Sequence, residues 1–395
     1  MDIKKRINEI FDELVEIRRD FHSNPELSEK EFRTSDKICD ILKSLNIDYT
    51  RIAETGIVGI IKGKKGGKTV AARADIDALP IVEKNETSYI SKNFGVMHAC
   101  GHDVHTTVLI GVAKILKELE SELEGNVNLF FQPAEETVGG AKKMVQEGCL
   151  KNPNVDYVIG LHVQSYIDAG KIELKYGKLN AQTDELKLTV LGKSGHGAYP
   201  DTSIDAIVIA AAVISALQTL VSRNISPLNS VVLSLGQING GTKNNIISDR
   251  VEISGILRTL DNETREYTIK RINDITNSIC NAYGGNCLIE IKNGYRYLVN
   301  DDEVVDVIYS AAKEAIGEEN IQFKEMPSMG GEDFSYFMDD NVKGSFYHLG
   351  CGNKEKGIVS PLHSDSFDVD EKCIKTGVLI QVESILKLLN INRGN

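Results

Sequence analysis

The sequence has 395 residues, of which 41% are hydrophobic and 26% are charged, and its formal net charge is -12. A chain of this length exceeds the usual size of one hydrophobic core, so we expect two domains. The acidic balance, without a long basic run, argues against nucleic acid as the main partner. The composition is typical of a globular protein that is soluble in water.

No segment of the sequence predicts a signal peptide or a membrane span. Apolar residues recur at helical spacing between residues 3 and 17, with charges between them. The longest apolar run, residues 206–217, is too short to cross a bilayer. The seven cysteines are scattered without closely spaced pairs, which argues against a disulfide framework. We therefore expect a cytoplasmic protein without a membrane partner.

Short β-rich runs alternate with helical runs from residue 57 onward. Strands at residues 58–62 and 69–73 flank a Gly- and Lys-rich turn, which suggests a hairpin. The next predicted elements are a helix, a strand, a helix and a strand at residues 106–123, 127–131, 141–147 and 155–162. This alternation predicts an α/β class of fold with a mixed, largely parallel sheet.

A different pattern occupies the middle of the chain. A strand, a helix, two strands, a helix and a strand are predicted at residues 185–191, 204–221, 230–238, 251–260, 262–283 and 286–291. The order βαββαβ is that of a ferredoxin-like module. Helices at residues 304–316 and 373–389 then resume the first pattern. We therefore expect an α/β domain at residues 1–182 and 296–395, interrupted by an inserted domain at residues 183–295.

Polar side chains follow the ends of the predicted strands, where functional groups gather in α/β sheets. These positions are Asp75, Asp77, Glu135, Glu136 and His162. Between the first two strand ends, a further cluster precedes a helix and consists of Cys100, His102, Asp103 and His105. Thiolate and imidazole are favoured ligands of zinc and related metals, and a turn could aim Cys100 and His102 at one point. The cluster therefore favours a metal site.

Each of these groups also has a purely structural interpretation. Glu135 and Glu136 could satisfy the N-terminus of a helix in solvent. His162 could be a hydrogen-bonded core histidine, His363 a surface-loop residue, and Cys100 a buried thiol. The common placement of the groups favours the functional interpretation, because two adjacent carboxylates beside a metal can divide the work, one as a ligand and one as a proton carrier.

Ordered motifs cover nearly the whole chain. They lie at residues 18–27 (RRDFHSNPEL), 74–80 (ADIDALP), 97–103 (MHACGHD), 132–136 (QPAEE), 195–200 (GHGAYP), 240–246 (GGTKNNI) and 330–334 (GGEDF), followed by His363. Together they resemble the M20 metallopeptidase family, in particular its amidohydrolase branch of aminoacylases, hippurate hydrolases and auxin-conjugate hydrolases. The peptidase branches have His at the position of Asp75 and Asp at the Cys-Gly-His segment, so the sequence favours the amidohydrolases.

The resemblance implies a catalytic domain that binds two divalent metal ions, with zinc, manganese, cobalt and nickel all admissible. The implied metal ligands are Cys100, His102, Glu136, His162 and His363. Glu135 matches the general base, which takes a proton from the attacking water and returns it to the leaving amine. Four further groups would orient the ligands, although each could be merely structural: Asp75, Asp77, Asp103 and His105.

The inserted domain would then be a lid through which the protein forms a homodimer. In the family a histidine at the position of His196 steadies the oxyanion of the tetrahedral intermediate. Asn245 and Arg258 match lid residues that bind the free carboxylate of the substrate, and a bidentate arginine suits that task. Without the motifs, His196 would be a turn histidine and Arg258 a solvated charge on a strand.

The expected reaction is hydrolysis of the amide bond of an N-acyl-L-amino acid, a small-molecule substrate. A metallo-carboxypeptidase or dipeptidase with the same two-metal site is the alternative. A third hypothesis is a metal-binding or regulatory protein that has lost catalysis, but Glu135 and all five implied ligands are present, which counts against it.

Overall fold

The computed structural model describes residues 1–338 and 341–390. Its helices are α1 (Ile3–Ser23), α2 (Phe32–Ser44), α3 (His102–Glu118), α4 (Gly140–Gln146), α5 (Ala206–Thr219), α6 (Asn262–Ala282), α7 (Asp302–Ile316) and α8 (Cys373–Asn390). Its strands are β1 (Asp48–Ile52), β2 (Gly56–Lys62), β3 (Lys65–Asp75), β4 (Glu124–Gln132), β5 (Tyr157–Asp168), β6 (Ile172–Leu174), β7 (Gly177–Asn180), β8 (Gln182–Leu191), β9 (Gly195–His196), β10 (Val231–Gly240), β11 (Ile246–Ile247), β12 (Arg250–Thr259), β13 (Asn286–Asn293), β14 (Leu298–Asn300), β15 (Ile321–Phe323) and β16 (Lys343–Gly352).

The chain divides into two compact units. Unit 1 comprises Met1–Gly177, Val299–Met326 and the described residues from Asp333 onward, and unit 2 comprises Lys178–Leu298 and Pro327–Glu332. The expected inserted domain, residues 183–295, lies within unit 2. Unit 2 also includes Pro327–Glu332, which the sequence had assigned to the other domain.

Unit 1 is built on an eight-stranded sheet with the order β1-β2-β4-β3-β5-β16-β6-β15. The four neighbours β4, β3, β5 and β16 run parallel to one another. The pairs β1·β2, β2·β4 and β6·β16 are antiparallel, and β6·β15 is again parallel. The prediction of an α/β fold with a mixed, largely parallel sheet is confirmed.

The predicted hairpin of β2 and β3 is wrong, because β4 lies between them. β2 pairs with β4 in antiparallel orientation, and β3 pairs with its other edge in parallel orientation. The turn after β2 is directed towards the start of β4, where Gly63 N donates to Gly125 O at 2.9 Å. β4 is paired along both of its edges, and its residues Leu129 and Phe131 are fully buried.

The core of unit 1 holds the helix that precedes the candidate site. α3 contacts α1 and α8, and α8 in turn contacts β3, β4, β5 and β16. Val108, Ile115, Val378 and Ile385 are at most 1% exposed in this layer. Because each fully buried side chain of this size contributes about 1.5–3 kcal/mol, the start of α3 is fixed by the core.

Unit 2 has a four-stranded antiparallel sheet with the order β10-β12-β8-β13. Its core joins strand residues such as Leu188 and Ile253 with Ile209 and Val213 of α5. The predicted βαββαβ ferredoxin-like order is therefore confirmed. By length and composition alone the segment Ala206–Asn224 could cross a membrane, and only 33% of it is buried.

Candidate metal centre

The five side chains that the sequence suggested as metal ligands meet at one place in unit 1. The Cys100 sulfur lies 3.3 Å from His162 Nε2 and 3.2 Å from His363 Nε2. Glu136 Oε1 lies 3.3 Å from His363 Nε2 and 3.9 Å from His102 Nε2. Residues that span most of the chain thus point their donor atoms at one another.

The turn between Cys100 and His102 depends on Gly101. Gly101 adopts a left-handed conformation with φ of 83° and directly precedes α3. A Cβ atom there would lie 2.3 Å from a methyl carbon of Val163, so the close approach to β5 also requires glycine. The turn lets two residues that are two positions apart face the same point, as the sequence suggested.

His363 reaches the site from a loop near the end of the chain. Its backbone is also left-handed, with φ of 63°, and His363 N donates to Ala99 O at 2.8 Å. That hydrogen bond attaches the loop to the segment that leads to Cys100. The side chain of His363 is 53% exposed, so one side of the cluster is open to solvent.

Three overlapping groups in this cluster could each hold a metal ion. They are Cys100–His102–His162, Cys100–Glu136–His363 and His102–Glu135–Glu136, and the donor atoms within each group lie within 4.8 Å of one another. His102 Nε2 and Glu136 Oε1 are buried without a hydrogen-bond partner among the described residues. Buried polar atoms of this kind need a partner, and a divalent cation would satisfy both, so the residues present fit the metal site.

Two carboxylates hold the ring of His102. His102 Nδ1 lies 2.9 Å from Asp77 O and 3.2 Å from Asp77 Oδ1, and His102 Nε2 lies 3.4 Å from Asp75 Oδ2. Burial lowers the pKa of His102, but the charges of Asp75 and Asp77 outweigh it and raise the pKa to about 10. A bound cation would replace the proton that these carboxylates attract.

Burial is the main influence on the pKa values of Cys100 and His162. Desolvation, with the charges of Glu136 and Glu135 added, raises the pKa of the Cys100 thiol. Desolvation and the neighbouring His105 lower the pKa of His162, which keeps its imidazole neutral and able to bind a metal. His162 Nδ1 donates to Val163 O at 2.8 Å, so Nε2 is the nitrogen that faces Cys100.

A second acidic and imidazole group lies behind the first, but it does not suit a cation. Asp75, His102 and His105 have donor atoms within 4.8 Å of one another. However, Arg73 Nη1 lies 2.8 Å from Asp75 Oδ2 and already neutralises that carboxylate. His105 Nε2 accepts a hydrogen bond from Val163 N at 2.9 Å, and its Nδ1 faces Asp75. Both ring nitrogens of His105 are therefore engaged.

Asp103 lies at the start of α3 and contacts α1. Its Oδ2 is 2.8 Å from Arg18 Nε and 2.7 Å from His22 Nδ1, and all three side chains are buried. Burial would raise the pKa of Asp103, but Arg18 and His22 hold it well below its usual range. The contacts of Asp103 with Arg18 and His22 join α1 to α3 and so hold the start of α3 next to His102.

Sequence reasoning missed an arginine network that holds the loop with Glu135. Arg73, which is 1% exposed, reaches Gln132 Oε1 at 2.6 Å and Asp333 Oδ1 at 3.0 Å. Asp333 Oδ2 in turn accepts from Ala141 N at 3.0 Å, at the start of α4. The available signal in the sequence was Arg73, a charged residue within a predicted strand, with Asp75 two positions later.

The structure places the other predicted residues in unit 2. His196 and Asn245 are both exposed. They are neighbours, because His196 of β9 pairs with Ile246 of β11 and Gly197 N donates to Asn245 O. Arg258 lies apart from them on β12, where a Cβ on Gly331 would approach its Nη1 to 3.3 Å. Burial lowers the pKa of Arg258. The roles of these residues and of the metal ligands stay predictions.

Comparison with known proteins agrees with this arrangement. Peptidase family M20/M25/M40 matches residues 71–387. N-acetyl-L-cysteine deacetylase of Bacillus subtilis is 40% identical over 96% of this chain and 89% of its own length. Hippurate hydrolase of Campylobacter jejuni is 38% identical over 98% of this chain and 100% of its own. Thermostable carboxypeptidase 2 of Saccharolobus solfataricus is 38% identical over 98% of both chains.

A solved structure supports the same relationship. The YXEP protein of Bacillus subtilis, described as a dinuclear metal-binding peptidase of the M20 family, superposes with a TM-score of 0.84. It is 30% identical and the match covers 97% of this chain and 99% of that one. With the donor cluster in unit 1 and the inserted ferredoxin-like unit 2, these matches show that the chain belongs to peptidase family M20/M25/M40.

Proposed function

We propose that this protein is a metal-dependent amidohydrolase that cleaves the amide bond of N-acyl-L-amino acids. The observation on which the proposal rests is the convergence of Cys100, His102, Glu136, His162 and His363 beside Glu135. Two relatives that match nearly the whole chain are named for removing an acyl group from an amino acid.

Two divalent ions would be held by the five donors. Cys100, His102 and Glu136 each belong to two of the three donor groups, so these groups overlap and would hold the two ions close together. The mixed thiolate, imidazole and carboxylate set suits zinc, manganese, cobalt or nickel. Such ions polarise the carbonyl of the scissile amide and acidify water.

We assign the transfer of the proton to Glu135. It lies within 4.8 Å of both His102 and Glu136 in one donor group and is 8% exposed. A carboxylate at this position takes the proton from the attacking water and delivers it to the amine that leaves. Glu136 is held differently, because its backbone N donates to Asp77 Oδ2 at 3.0 Å while its carboxylate faces His363.

We assign the recognition of the substrate to unit 2. His196 would donate a hydrogen bond to the developing oxyanion, and Asn245 and Arg258 would bind the free carboxylate. The support is the resemblance of the motifs, the exposure of the His196 ring and the hydrogen bond from Ala198 N to His196 Nδ1 at 3.1 Å. That bond leaves Nε2 as the protonated nitrogen of a neutral ring, which is the donor that the role requires.

A carboxypeptidase is the second candidate function. The support is the 38% identity to thermostable carboxypeptidase 2 over 98% of both chains. The same donor groups would serve either substrate, because both reactions attack an amide next to a free carboxylate. A panel of acetylated and benzoylated amino acids, with dipeptides and longer peptides as the comparison, separates the two activities by kcat/KM.

The experiment that tests the mechanism compares two neighbouring carboxylates. Glu135→Gln removes the proton carrier only, so we expect kcat to fall by about 10²- to 10⁴-fold with bound metal unchanged. Glu136→Gln removes a ligand, so we expect metal to be lost together with activity. Kinetics and elemental analysis of the same samples check both results, and the opposite pattern of metal loss would show that the two roles are exchanged.

We also propose a homodimer that forms through unit 2. The outer face of α5 is apolar and open, with Ile207 47% and Val208 50% exposed, and β10 is an edge strand. Apolar patches and unpaired edges of this kind favour pairing around a two-fold axis.

Ile207→Asp should shift the sedimentation coefficient from that of a dimer to that of a monomer. The control, Tyr49→Asp on the exposed strand β1 of unit 1, should leave the sedimentation coefficient unchanged. A wild-type protein that sediments as a monomer would contradict the proposal.

A cytoplasmic location is the remaining proposal. All seven cysteines are free, although every one of them is buried. Free thiols are typical of proteins in a reducing compartment. Fractionation of cells that express the tagged chain tests the location.

A further inference from the structure

The loop that presents Glu135, residues 133–140, is closed on itself. Gly139 N and Gly140 N both donate to Ala134 O, at 3.0 Å and 3.3 Å. A Cβ atom on Gly140 would lie 1.9 Å from Pro133 O, so the two ends of the loop approach as closely as backbone allows. We call this segment the Glu135 loop.

Three buried carboxylates bind backbone N–H groups in and beside the Glu135 loop. Asp77 Oδ2 accepts from Glu136 N at 3.0 Å, and Asp333 Oδ2 accepts from Ala141 N at 3.0 Å. The third is Glu31, whose Oε1 accepts from Ala134 N at 2.9 Å. The N–H groups of Ala134 and Glu136 flank Glu135 on either side, so Glu31 and Asp77 hold the backbone on which its side chain depends.

Glu31 differs from the other two in having no charged partner in the part of the chain that the structure describes. Asp77 faces His102 and Asp333 faces Arg73, but the hydrogen-bond partners of Glu31 among the described residues are Ala134 N, Glu29 N at 3.0 Å and Thr55 Oγ1 at 2.7 Å. Glu31 is 0% exposed. A buried carboxylate is costly, and these three donors to its two oxygens offset that cost.

Ala134 has a backbone conformation that needs such support. Its φ is 53°, in the left-handed region that residues other than glycine rarely adopt. The neighbouring Pro133 is packed against the start of β2, where a Cβ on Gly56 would lie 2.9 Å from Pro133 Cδ. Without the hydrogen bond to Glu31, Ala134 could relax to an ordinary conformation, and the Cα–Cβ bond of Glu135 would then point elsewhere.

We propose that Glu31 is a positioning residue for Glu135, which holds Ala134 in its left-handed conformation and thereby fixes the direction of the catalytic carboxylate. This inference rests on the proposed function, because it assigns to Glu31 a part in the step that Glu135 performs. A displacement of about 1 Å at a catalytic group can lower the rate by about 10²-fold, so the rate should depend on how firmly Glu135 is held.

The test compares Glu31→Asp with Glu31→Gln in the metal-loaded enzyme. Aspartate is one methylene shorter and cannot reach Ala134 N while it keeps Thr55, so we expect kcat to fall by about 10- to 100-fold with KM and metal content unchanged. Glutamine keeps the length and an oxygen for Ala134 N, and its amide can donate to Thr55, so we expect kcat within about 3-fold of wild type.

Glu26→Asp is the matched control. Glu26 is a carboxylate of the same segment that accepts from Arg33 N at 3.1 Å and Thr34 N at 2.8 Å, at the start of α2, and these hydrogen bonds do not involve the Glu135 loop. Both aspartate variants should lower Tm, but Glu26→Asp should leave kcat unchanged. An equal loss of kcat in the two variants would overturn the proposal and show that general destabilisation is the cause.

A double-variant cycle shows whether Glu31 acts through Glu135. In the Glu135→Gln background, Glu31→Asp should have no further effect on kcat, because the group that it positions is already absent. Multiplicative effects would overturn the inference. The failure of the proposed function is a separate outcome, since wild-type protein would then hydrolyse no N-acyl amino acid, or Glu135→Gln alone would leave turnover intact.

Discussion

Most of the polar residues assigned to the active site are buried in unit 1, with His363 as the exception, whereas His196 and Asn245 of unit 2 are exposed. Asp75, Asp77 and Asp103 are at most 1% exposed, and each faces a histidine. His196 and Asn245, by contrast, lie on exposed backbone around a two-residue strand pair. The groups of unit 1 are therefore fixed by the folding of the chain itself, whereas those of unit 2 add little to it. Stability and activity should respond differently to mutation in the two units.

The largest effect is expected from Asp103→Ala. The substitution leaves the fully buried Arg18 without its 2.8 Å partner, and breaking a buried ion pair costs about 3–5 kcal/mol. Urea unfolding in the presence of a chelator measures this loss without a contribution from metal. Asp48→Ala, which removes the exposed partner of Lys62, should leave the free energy of unfolding unchanged. Equal losses of unfolding free energy in Asp103→Ala and Asp48→Ala would contradict the expected difference between a buried and an exposed ion pair.

His196→Ala should lower the activity and leave the stability unchanged. We expect kcat to fall by about 10²- to 10³-fold, the usual effect of removing an oxyanion donor, with a much smaller change in KM. The ring of His196 contacts the exposed Tyr199 and is not part of the unit 2 core, so Tm should not change. Asp201→Ala, in the same exposed turn, serves as the control. Unchanged kcat in His196→Ala would disprove the assigned role.

A smaller effect is expected at Glu173, which is itself buried but has partners, Tyr166 and Lys324, that solvent reaches. Glu173 Oε1 accepts from Tyr166 Oη at 2.8 Å and lies 2.8 Å from His348 Nδ1 and 3.3 Å from Lys324 Nζ. Burial opposes ionisation of Glu173, but the hydrogen bonds from His348 and Tyr166 outweigh it and lower its pKa to about 2.

Because this pKa is lower in the folded than in the unfolded state, the stabilisation by Glu173 is complete above pH 4.5 and is lost as the pH falls towards 2. We expect Glu173→Gln to cost about 1 kcal/mol at pH 7, after allowance for the solvent that reaches Tyr166 and Lys324. Unfolding curves at several pH values should show the gap between wild type and variant narrowing below pH 4.5. A gap that stays constant with pH would contradict the assignment.

The sequence predicted the order of the elements well because hydrophobic period and strand ends are local properties. Glu136 and His162 could be located in this way, since each follows an apolar run that becomes a buried strand. His363 could not, because its loop has no local pattern and only the resemblance of the motifs identified it. The failure at β2 and β3 has the same origin, since nothing near residues 63–68 indicates that β4 will lie between them.

The supporting residues were the least predictable part of the site. Glu31 lies in a polar segment at the start of α2, where a glutamate is ordinarily a solvated helix-capping residue. Its burial, and its hydrogen bond to Ala134, depend on contacts between parts of the chain that are far apart in sequence. Asp333 is similar, because only the folded chain brings it to Arg73.

The position of β4 between β2 and β3 also constrains how the chain folds. β2 and β3 leave the ribosome well before β4, yet neither can complete its ladder until β4 arrives. Pairings between distant segments slow the search for the native state, and here one late strand closes two gaps at once. Nascent chains that end before Glu124 therefore leave one edge of β2 and one edge of β3 without the strand that pairs with them, and unpaired edges of this kind favour aggregation.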